Sequence, residues 1–356
     1  MRVLELAREM GVLKLGTVAL DGTKIHANAS RHGALSYEHA TKIEAQLKAE
    51  VAELMARAEA ADAADVADGL SIPDELARRE DRLSKLAEAR AKIEARAKER
   101  FEREAAEHRA KLAAREAKAA ATGKKPRGKP PAPPVEGAQP KDQINLTDED
   151  SRIMPVAGGG FDQCYNAQAV VATGSLLVIA REVVQAPNDK QQIAPMLEKI
   201  DVLPEDLGRP ETLLADNGYF SEANVTLCAA ANIEPLIAPG RQSHHPSLRE
   251  RLAAAPPAPD NPTRVEAMAY RLRTPQGKAL YALRKQTPEP VFGIIKSVMG
   301  FRQFLLRGLD QVRGEHDGLE HQENVCAQPR VSAPPAGPNG QRRCVKTPAV
   351  TCPITP

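Results

Sequence analysis

Hydrophobic and polar residues follow different periods in different parts of the chain. Residues 12–27 place β-branched Val18 and Ile25 on either side of the pair Asp21–Gly22. β-branched residues are enriched in strands, and Asp-Gly is a preferred pair in two-residue hairpin turns. The pattern therefore predicts a strand, a tight turn at Asp21–Gly22 and a second strand.

Residues 36–120 have a helical period and are rich in Ala, Glu, Lys and Arg. Apolar residues recur every three or four positions over 43–54, and a second run with apolar residues at helical spacings of three, four or seven covers 76–101. A break that contains a glycine and a proline separates the runs. Two narrow apolar stripes on either side of a break predict an antiparallel helical hairpin of the coiled-coil type. Charged helices of this kind are typical of a solvated spacer arm.

Further changes in composition divide the rest of the chain. Residues 121–143 are rich in proline and basic residues, so we predict a linker without fixed structure. Short apolar runs and helical patterns then alternate, and this order predicts a mixed α/β fold interrupted by a helical insertion. The predicted segments are the first strands of the core (1–35), the helical hairpin (36–120), the linker (121–143), the remainder of the core (144–313) and a disordered tail (314–356).

Composition and charge exclude several classes of protein. Lys and Arg number 49 and Asp and Glu 47, a formal net charge of +2, which neither requires nor excludes a nucleic-acid partner. The sequence has no apolar run of the roughly 18 residues that a membrane helix needs, and its start lacks the apolar segment of a signal peptide. Its five cysteines form no C-x-x-C pair. We therefore expect reduced thiols, a cytoplasmic location and no membrane partner.

Three carboxylates stand where a catalytic site can form. Asp21 and Asp216 each end a predicted strand, and Glu289 opens a helical segment with basic residues nearby. Sites in open α/β sheets form outside strand ends, and hard divalent cations prefer carboxylate oxygens. Each residue also has a structural interpretation: Asp21 as a hairpin turn, Asp216 as a loop residue and Glu289 as a solvated helix residue. Spacing alone leaves these alternatives open.

Four blocks of sequence carry a family resemblance. They are LDGTKIHANAS, YNAQAVV, LLADNGYFSE and YALRKQTPEPVFGIIKSVMGFRQFLLRGL. In this order they resemble the catalytic core of bacterial insertion-sequence transposases, which are DDE enzymes with an RNase H-like fold, and the similarity covers roughly residues 3–313. The resemblance implies an RNase H-like mixed sheet with flanking helices, interrupted by a helical hairpin.

The resemblance also implies roles for individual residues. Asp21, Asp216 and Glu289 correspond to the catalytic and metal-binding carboxylates. These carboxylates would hold two divalent ions, either Mg²⁺ or Mn²⁺. Tyr281, Arg284 and Lys296 match the signature around the Glu and would contact DNA. Pro288, directly before the Glu, departs from the usual pattern and predicts an altered start of this helix.

The implied activity is metal-dependent phosphodiester cleavage and strand transfer of an insertion sequence. The partners would be double-stranded DNA, at the element ends and the target, and further copies of the chain when active, in the bacterial cytoplasm at the nucleoid. One alternative is a catalytically inactive remnant that retains the fold and weak DNA binding. Another is a coiled-coil interaction protein, but this leaves the four blocks unexplained.

Both ends of the sequence depart from the family. Only twenty residues precede Asp21, where the family usually has about a hundred or more, so we expect an N-terminal truncation. Residues 314–356 lose apolar periodicity, which indicates either an ordinary disordered tail or a frameshifted ending. A one-base shift across codons compatible with residues 317–327 spells Met-Ala-Trp-Asn-Ile-Lys-Arg-Thr, similar to a helix of the family. The nucleotide sequence tests this prediction.

Overall fold

The computed structural model describes residues 2–64, 72–123, 128–240 and 257–326. Its strands form a six-stranded mixed sheet and a separate two-stranded ladder. In chain order the strands are β1 Thr17–His26, β2 Ala34–Ser36, β3 Gln143–Asn145, β4 Arg152–Pro155, β5 Phe161–Ala172, β6 Val178–Val184, β7 Thr212–Ala215 and β8 Glu234–Ile237. The helices are α1 Arg2–Glu9, α2 Tyr37–Ala64, α3 Ile72–Thr122, α4 Ile193–Asp201, α5 Glu222–Ala230, α6 Arg264–Arg271, α7 Pro275–Ala282, α8 Pro288–Gly293 and α9 Leu309–Cys326.

The large sheet has the order β4-β5-β1-β7-β8, and β6 pairs with β5 beyond the end of β4. β1 lies at its centre, antiparallel to β5 on one side and parallel to β7 on the other. β7 and β8 are also parallel. The predicted mixed α/β fold, with an RNase H-like sheet and a long helical insertion, is confirmed.

Helices cover both faces of this sheet. On one face, Leu20 of β1 and Val170 of β5 lie in one apolar cluster with residues of α1, α4 and α5. On the other face, Ala19 of β1 packs near α7, and Ala169 of β5 packs against α8. The alternation along β1 and β5 buries both faces of the central strands, as expected for a sheet between two helical layers.

The helical insertion rises from the two-stranded ladder of β2 and β3, in which Ser36 pairs with Gln143. α2 and α3 pack on each other through buried Leu47, Leu86 and Ile93. Arg90 of α3 forms an ion pair with Glu44 of α2. The predicted two-helix hairpin is present, and the break between its helices, residues 65–71, lies outside the described residues.

Part of the predicted linker has a defined path, so the expectation of no fixed structure is wrong for residues 128–142. Arg115 of α3 donates to the carbonyl of Gly128 at 2.6 Å, and Arg100 contacts Asp142 at 2.7 Å. His108 Nε2 lies 3.1 Å from the carbonyl of Pro131. Side chains of α3 thus satisfy backbone carbonyls of a segment too rich in proline to form its own ladder.

The predicted hairpin turn at Asp21–Gly22 is also wrong. β1 runs without interruption through both residues, and β5 pairs with it from Val18 to His26. The cross-strand partners of a long neighbouring strand override the local turn preference of Asp-Gly.

The predicted start of the disordered tail, at residue 314, lies too early in the chain. α9 continues through residues 314–326, where we expected disorder, and it is anchored by buried Val312 and His316. Val312 lies in an apolar cluster with Ile25, Tyr165 and Phe304. Two buried residues one turn apart on the same face thus anchor a helix that lacks a longer apolar stripe. Residues 327–356, which include part of the proposed frameshifted ending, lie outside the described residues.

Two further expectations concern membranes and thiols. None of the helices in the described parts of the chain combines the length and the apolar character needed to cross a bilayer. Cys164 and Cys228 are free and buried, and burial raises the pKa of each thiol to about 12.

Candidate active site

The centre of the sheet brings two of the three predicted carboxylates together. In the parallel pairing of β1 with β7, Ala19 lies opposite Leu214. Continued by two residues, this register places Asp21 beside Asp216, which directly follows β7. Neighbouring strands are about 4.8 Å apart, so residues 195 positions apart in sequence become neighbours.

Asp21 is an unusual carboxylate. Its side chain is 19 % exposed, and its Oδ1 accepts a hydrogen bond from the Gly22 amide at 2.8 Å. Desolvation by burial raises the pKa of Asp21 from 3.8 to about 6, and the like charges of Asp216 and Asp189 add to the rise. The Gly22 amide and Arg284 oppose it. The carboxylate is therefore held in a buried, negatively charged position, as is common at functional sites.

Glu289 approaches this pair from the first turn of α8, but a cation separates it from Asp21. Arg284 Nη1 lies 3.3 Å from Asp21 Oδ2, and its Nη2 lies 4.0 Å from Glu289 Oε1. The Glu289 side chain is 59 % exposed. Pro288 is the first residue of α8, a position where proline fits a helix because its missing N–H has no partner there. The unusual proline thus starts the helix that carries Glu289.

The three predicted carboxylates do not form a closed ligand set. Among the described residues, no group of three or more His, Cys, Asp or Glu side chains is placed to hold a metal ion. The donor chemistry of Asp21 and Asp216 nevertheless fits a hard divalent cation, because both offer carboxylate oxygens and their mutual repulsion is relieved by positive charge. Arg284 supplies that positive charge to Asp21 in the arrangement seen here.

Tyr281 and Lys296, predicted to contact DNA, have partners within the protein. Tyr281 Oη donates to the carbonyl of Ala215 at 3.3 Å and so contacts the last residue of β7, directly before Asp216. Lys296 lies in a π-helical turn over Ile294–Val298 that follows α8. Its Nζ donates to Thr23 Oγ1 at 2.6 Å and to the Lys24 carbonyl at 2.8 Å. Both side chains therefore tie the helices to the strands that carry the aspartates.

Sequence analysis missed a fourth carboxylate, Asp189, in the loop after β6. Its Oδ1 accepts hydrogen bonds from Asn166 Nδ2 and Gln168 Nε2, both at 2.7 Å, and lies 3.7 Å from Lys24 Nζ. Tyr219 Oη donates to Gln168 Oε1. Together these side chains form a buried polar network beneath the candidate site.

A signal for this network was present in the sequence. Asn166 and Gln168 occupy one face of β5, in an otherwise apolar run, and both are fully buried. Buried amides need partners, so two of them at period-2 spacing indicate a polar cluster. The position of Asp189 could not be read in the same way, because a loop has no periodicity.

The network also explains Gly22, which pairs with Gln168 across the sheet. A Cβ at Gly22 would lie 2.8 Å from Asp189 Oδ1 and would also collide with the Gln168 amide. Glycine at this position therefore lets the polar network approach β1 beside Asp21.

Comparison with known proteins gives a family match over part of the chain. Residues 141–316 match the family model described as the transposase DDE domain. No curated protein matches the chain. The matched segment contains Asp216 and Glu289, whereas Asp21 precedes it and joins it through β1. The match supports a DDE-type transposase, in agreement with the resemblance seen in the four sequence blocks.

Proposed function

We propose, on the premise that residues 141–316 belong to a DDE-type transposase domain, that the protein catalyses metal-dependent cleavage of DNA phosphodiester bonds and strand transfer. The observation that carries the proposal is the pair of aspartates on adjacent central strands, Asp21 within β1 and Asp216 after β7. Both lie in the six-stranded sheet. Of the described strands of this sheet, the family match covers all except β1.

The chain's own residues would act by holding oxygen ligands in place. Asp21 and Asp216 would hold two divalent ions, either Mg²⁺ or Mn²⁺, and Glu289 would complete the set of carboxylate ligands. When bound, divalent cations stabilise the attacking and the leaving oxygen of a phosphodiester displacement. No group of the chain then needs to bond covalently to the DNA.

The surrounding side chains would orient these ligands. Lys296 holds β1 at Thr23 and Lys24, two and three residues beyond Asp21. Tyr281 holds the end of β7 next to Asp216. Arg284, already in contact with Asp21, is placed to meet a phosphate that enters the site, because guanidinium groups form charge-assisted hydrogen bonds with phosphate as well as with carboxylate.

The test is nicking of supercoiled plasmid DNA with Mg²⁺, with Mn²⁺ and with EDTA. We expect cleavage by the wild type only with a divalent cation, and none by Asp216→Asn, which keeps the side-chain volume but removes the charge. Asp201→Asn is the matched control, because Asp201 is 87 % exposed at the end of α4. Undiminished cleavage by Asp216→Asn would reject the proposal. Absence of cleavage by the wild type would instead favour an inactive remnant.

A further inference from the structure

A second site lies between the helical arm and the core, away from the aspartates. It is a cleft of about 840 Å³ with α3 as one wall and with residues of β3, β4 and the loop after β6 as the other. Five cationic side chains and only two carboxylates line it. The cations are Arg96, Arg100, Arg103, Lys141 and Arg152, and the carboxylates are Glu99 and Asp142.

The positive charge of this cleft is only partly compensated within the protein. Arg152 donates to three backbone carbonyls and to Gln185, and burial together with the charge of Arg96 lowers the pKa of Arg152 to about 10. The Nη1 atom of Arg96 and the Nε atom of Arg100 are buried without a hydrogen-bond partner among the described residues. Buried donors without acceptors are costly, so the lining favours an acceptor-rich, negatively charged ligand.

Two further cations at the cleft are accessible to solvent. Arg103 and Lys141 are exposed and form no ion pair within the described parts of the chain. Six amide side chains also line the cleft: Gln143, Asn145, Gln163, Gln185, Asn188 and Gln191. Cations and amides are among the groups that contact phosphate and sugar in protein–DNA interfaces.

The cleft is connected to the candidate active site by the loop after β6. Asn188 and Gln191 of this loop line the cleft, whereas Asp189 belongs to the network beneath Asp21. A linear polyanion in the cleft would therefore lie beside the loop that carries Asp189. A small anion would use only a fraction of this volume and of these cations.

We propose that the cleft between α3 and the core binds the sugar-phosphate backbone of one strand of a DNA duplex. The inference rests on the proposed function for the identity of the polyanion. It assigns to the helical arm a direct part in holding DNA, in place of the passive spacer expected from its sequence.

The test compares two double variants of equal charge and composition. Arg103→Gln with Lys141→Gln removes the two free cations of the cleft. Lys98→Gln with Arg109→Gln removes an exposed lysine and an exposed arginine that do not line it. At about 100° per residue, positions 98 and 109 face away from positions 96, 100 and 103 on α3.

Binding of a fluorescein-labelled 20-base-pair duplex is measured by anisotropy in EDTA over a series of NaCl concentrations. Each lost phosphate contact lowers the slope of log K against log[salt] by about 0.9. For the cleft double variant we expect the magnitude of this slope to fall by about 1–2. We also expect it to bind the duplex roughly tenfold more weakly at 0.1 M salt. The control double variant should bind like the wild type. Two duplexes of unrelated sequence should show equal losses, because phosphate contacts carry no sequence information.

A variant of the opposite wall gives an independent measurement. Gln191→Glu adds a negative charge on the core side of the cleft and should weaken binding in the same direction. Circular dichroism confirms that the variants fold. Equal losses in the cleft and control double variants, or unchanged binding in the cleft double variant, would overturn the proposal. Because EDTA prevents metal-dependent cleavage, this outcome is separate from the plasmid assay with Asp216→Asn.

Discussion

Arg284 Nη1 lies 3.3 Å from Asp21 Oδ2, although 263 positions separate the two residues. The contact joins the first strand of the sheet to the helical segment that carries Glu289. It leaves the pKa of Asp21 at about 6, because desolvation by burial and the neighbouring carboxylates outweigh the guanidinium. A buried carboxylate whose charge is not fully neutralised lowers the stability of the fold, and such groups cluster at functional sites.

The first prediction concerns this cost. Folding raises the pKa of Asp21 from 3.8 to about 6, so the folded chain binds more protons than the unfolded chain between these values. Its stability therefore falls as the pH rises from about 4 to about 6, and the penalty is complete at pH 7. We expect Asp21→Asn to raise the free energy of unfolding at pH 7 by about 2–3 kcal/mol, with little gain near pH 3.5.

Urea unfolding of Asp21→Asn and wild type at both pH values measures this difference. Asp201→Asn, a substitution at an exposed aspartate, is the control and should show no pH-dependent gain. A variant that is less stable than the wild type at pH 7 would mean that the contact with Arg284 dominates over desolvation.

The second prediction concerns Asp189. Its carboxylate accepts hydrogen bonds from the amides of Asn166 and Gln168. Asp189→Ala leaves both buried donors without this acceptor and should lower the free energy of unfolding by about 1–3 kcal/mol. Asp189→Asn retains an oxygen acceptor and should lose less. The urea midpoints of the two variants and of Asp201→Ala test this order, and equal midpoints for all three would contradict the network.

The third prediction concerns the last described helix. His316 is buried near Phe304, and burial together with the charge of Arg181 lowers its pKa from 6.5 to about 4. Between these values the unfolded chain binds more protons, so stability is complete above pH 6.5 and falls as the pH drops towards 4. We expect the wild type to lose about 3 kcal/mol more than His316→Gln on acidification from pH 7 to pH 4.

Thermal or urea unfolding is measured at pH 7 and at pH 4. The loss of packing in His316→Gln lowers stability equally at both pH values, so the difference between them isolates the titration of His316. His39→Gln, at an exposed position on α2, serves as the control. Identical acid losses in the wild type and His316→Gln would show that α9 does not pack on the core in solution.

The fourth prediction concerns the helical arm. Because Ser36 pairs directly with Gln143, residues 37–142 can be replaced by an Asn-Gly pair, which closes antiparallel strands in a two-residue turn. The main apolar cluster contains no residue of α2 or α3, so we expect the shortened chain to unfold cooperatively. Loss of a cooperative transition would show that the core depends on the arm. The shortened chain should also bind DNA more weakly, because it lacks the α3 wall of the cleft.

The sequence by itself determined the local elements and most of their order. The helical spacing of the arm predicted α2 and α3. Ser221 is of a residue type that favours the N-cap position, and its hydroxyl accepts from the Asn224 amide at the start of α5. These features are local, since a helix or a cap depends on residues a few positions apart. The sequence blocks also pointed to the transposase DDE domain before any geometry was available.

Only the tertiary structure decided which residues share a site and what each one contacts. Strand pairing with β5 kept Asp21 in a continuous strand, where local preference predicted a turn. The parallel register of β1 and β7 set Asp21 beside Asp216, and the packing of the helices placed Arg284 between Asp21 and Glu289. Asp189 entered from a loop without periodicity. These relationships depend on long-range pairing and on burial, which no local pattern of residues encodes.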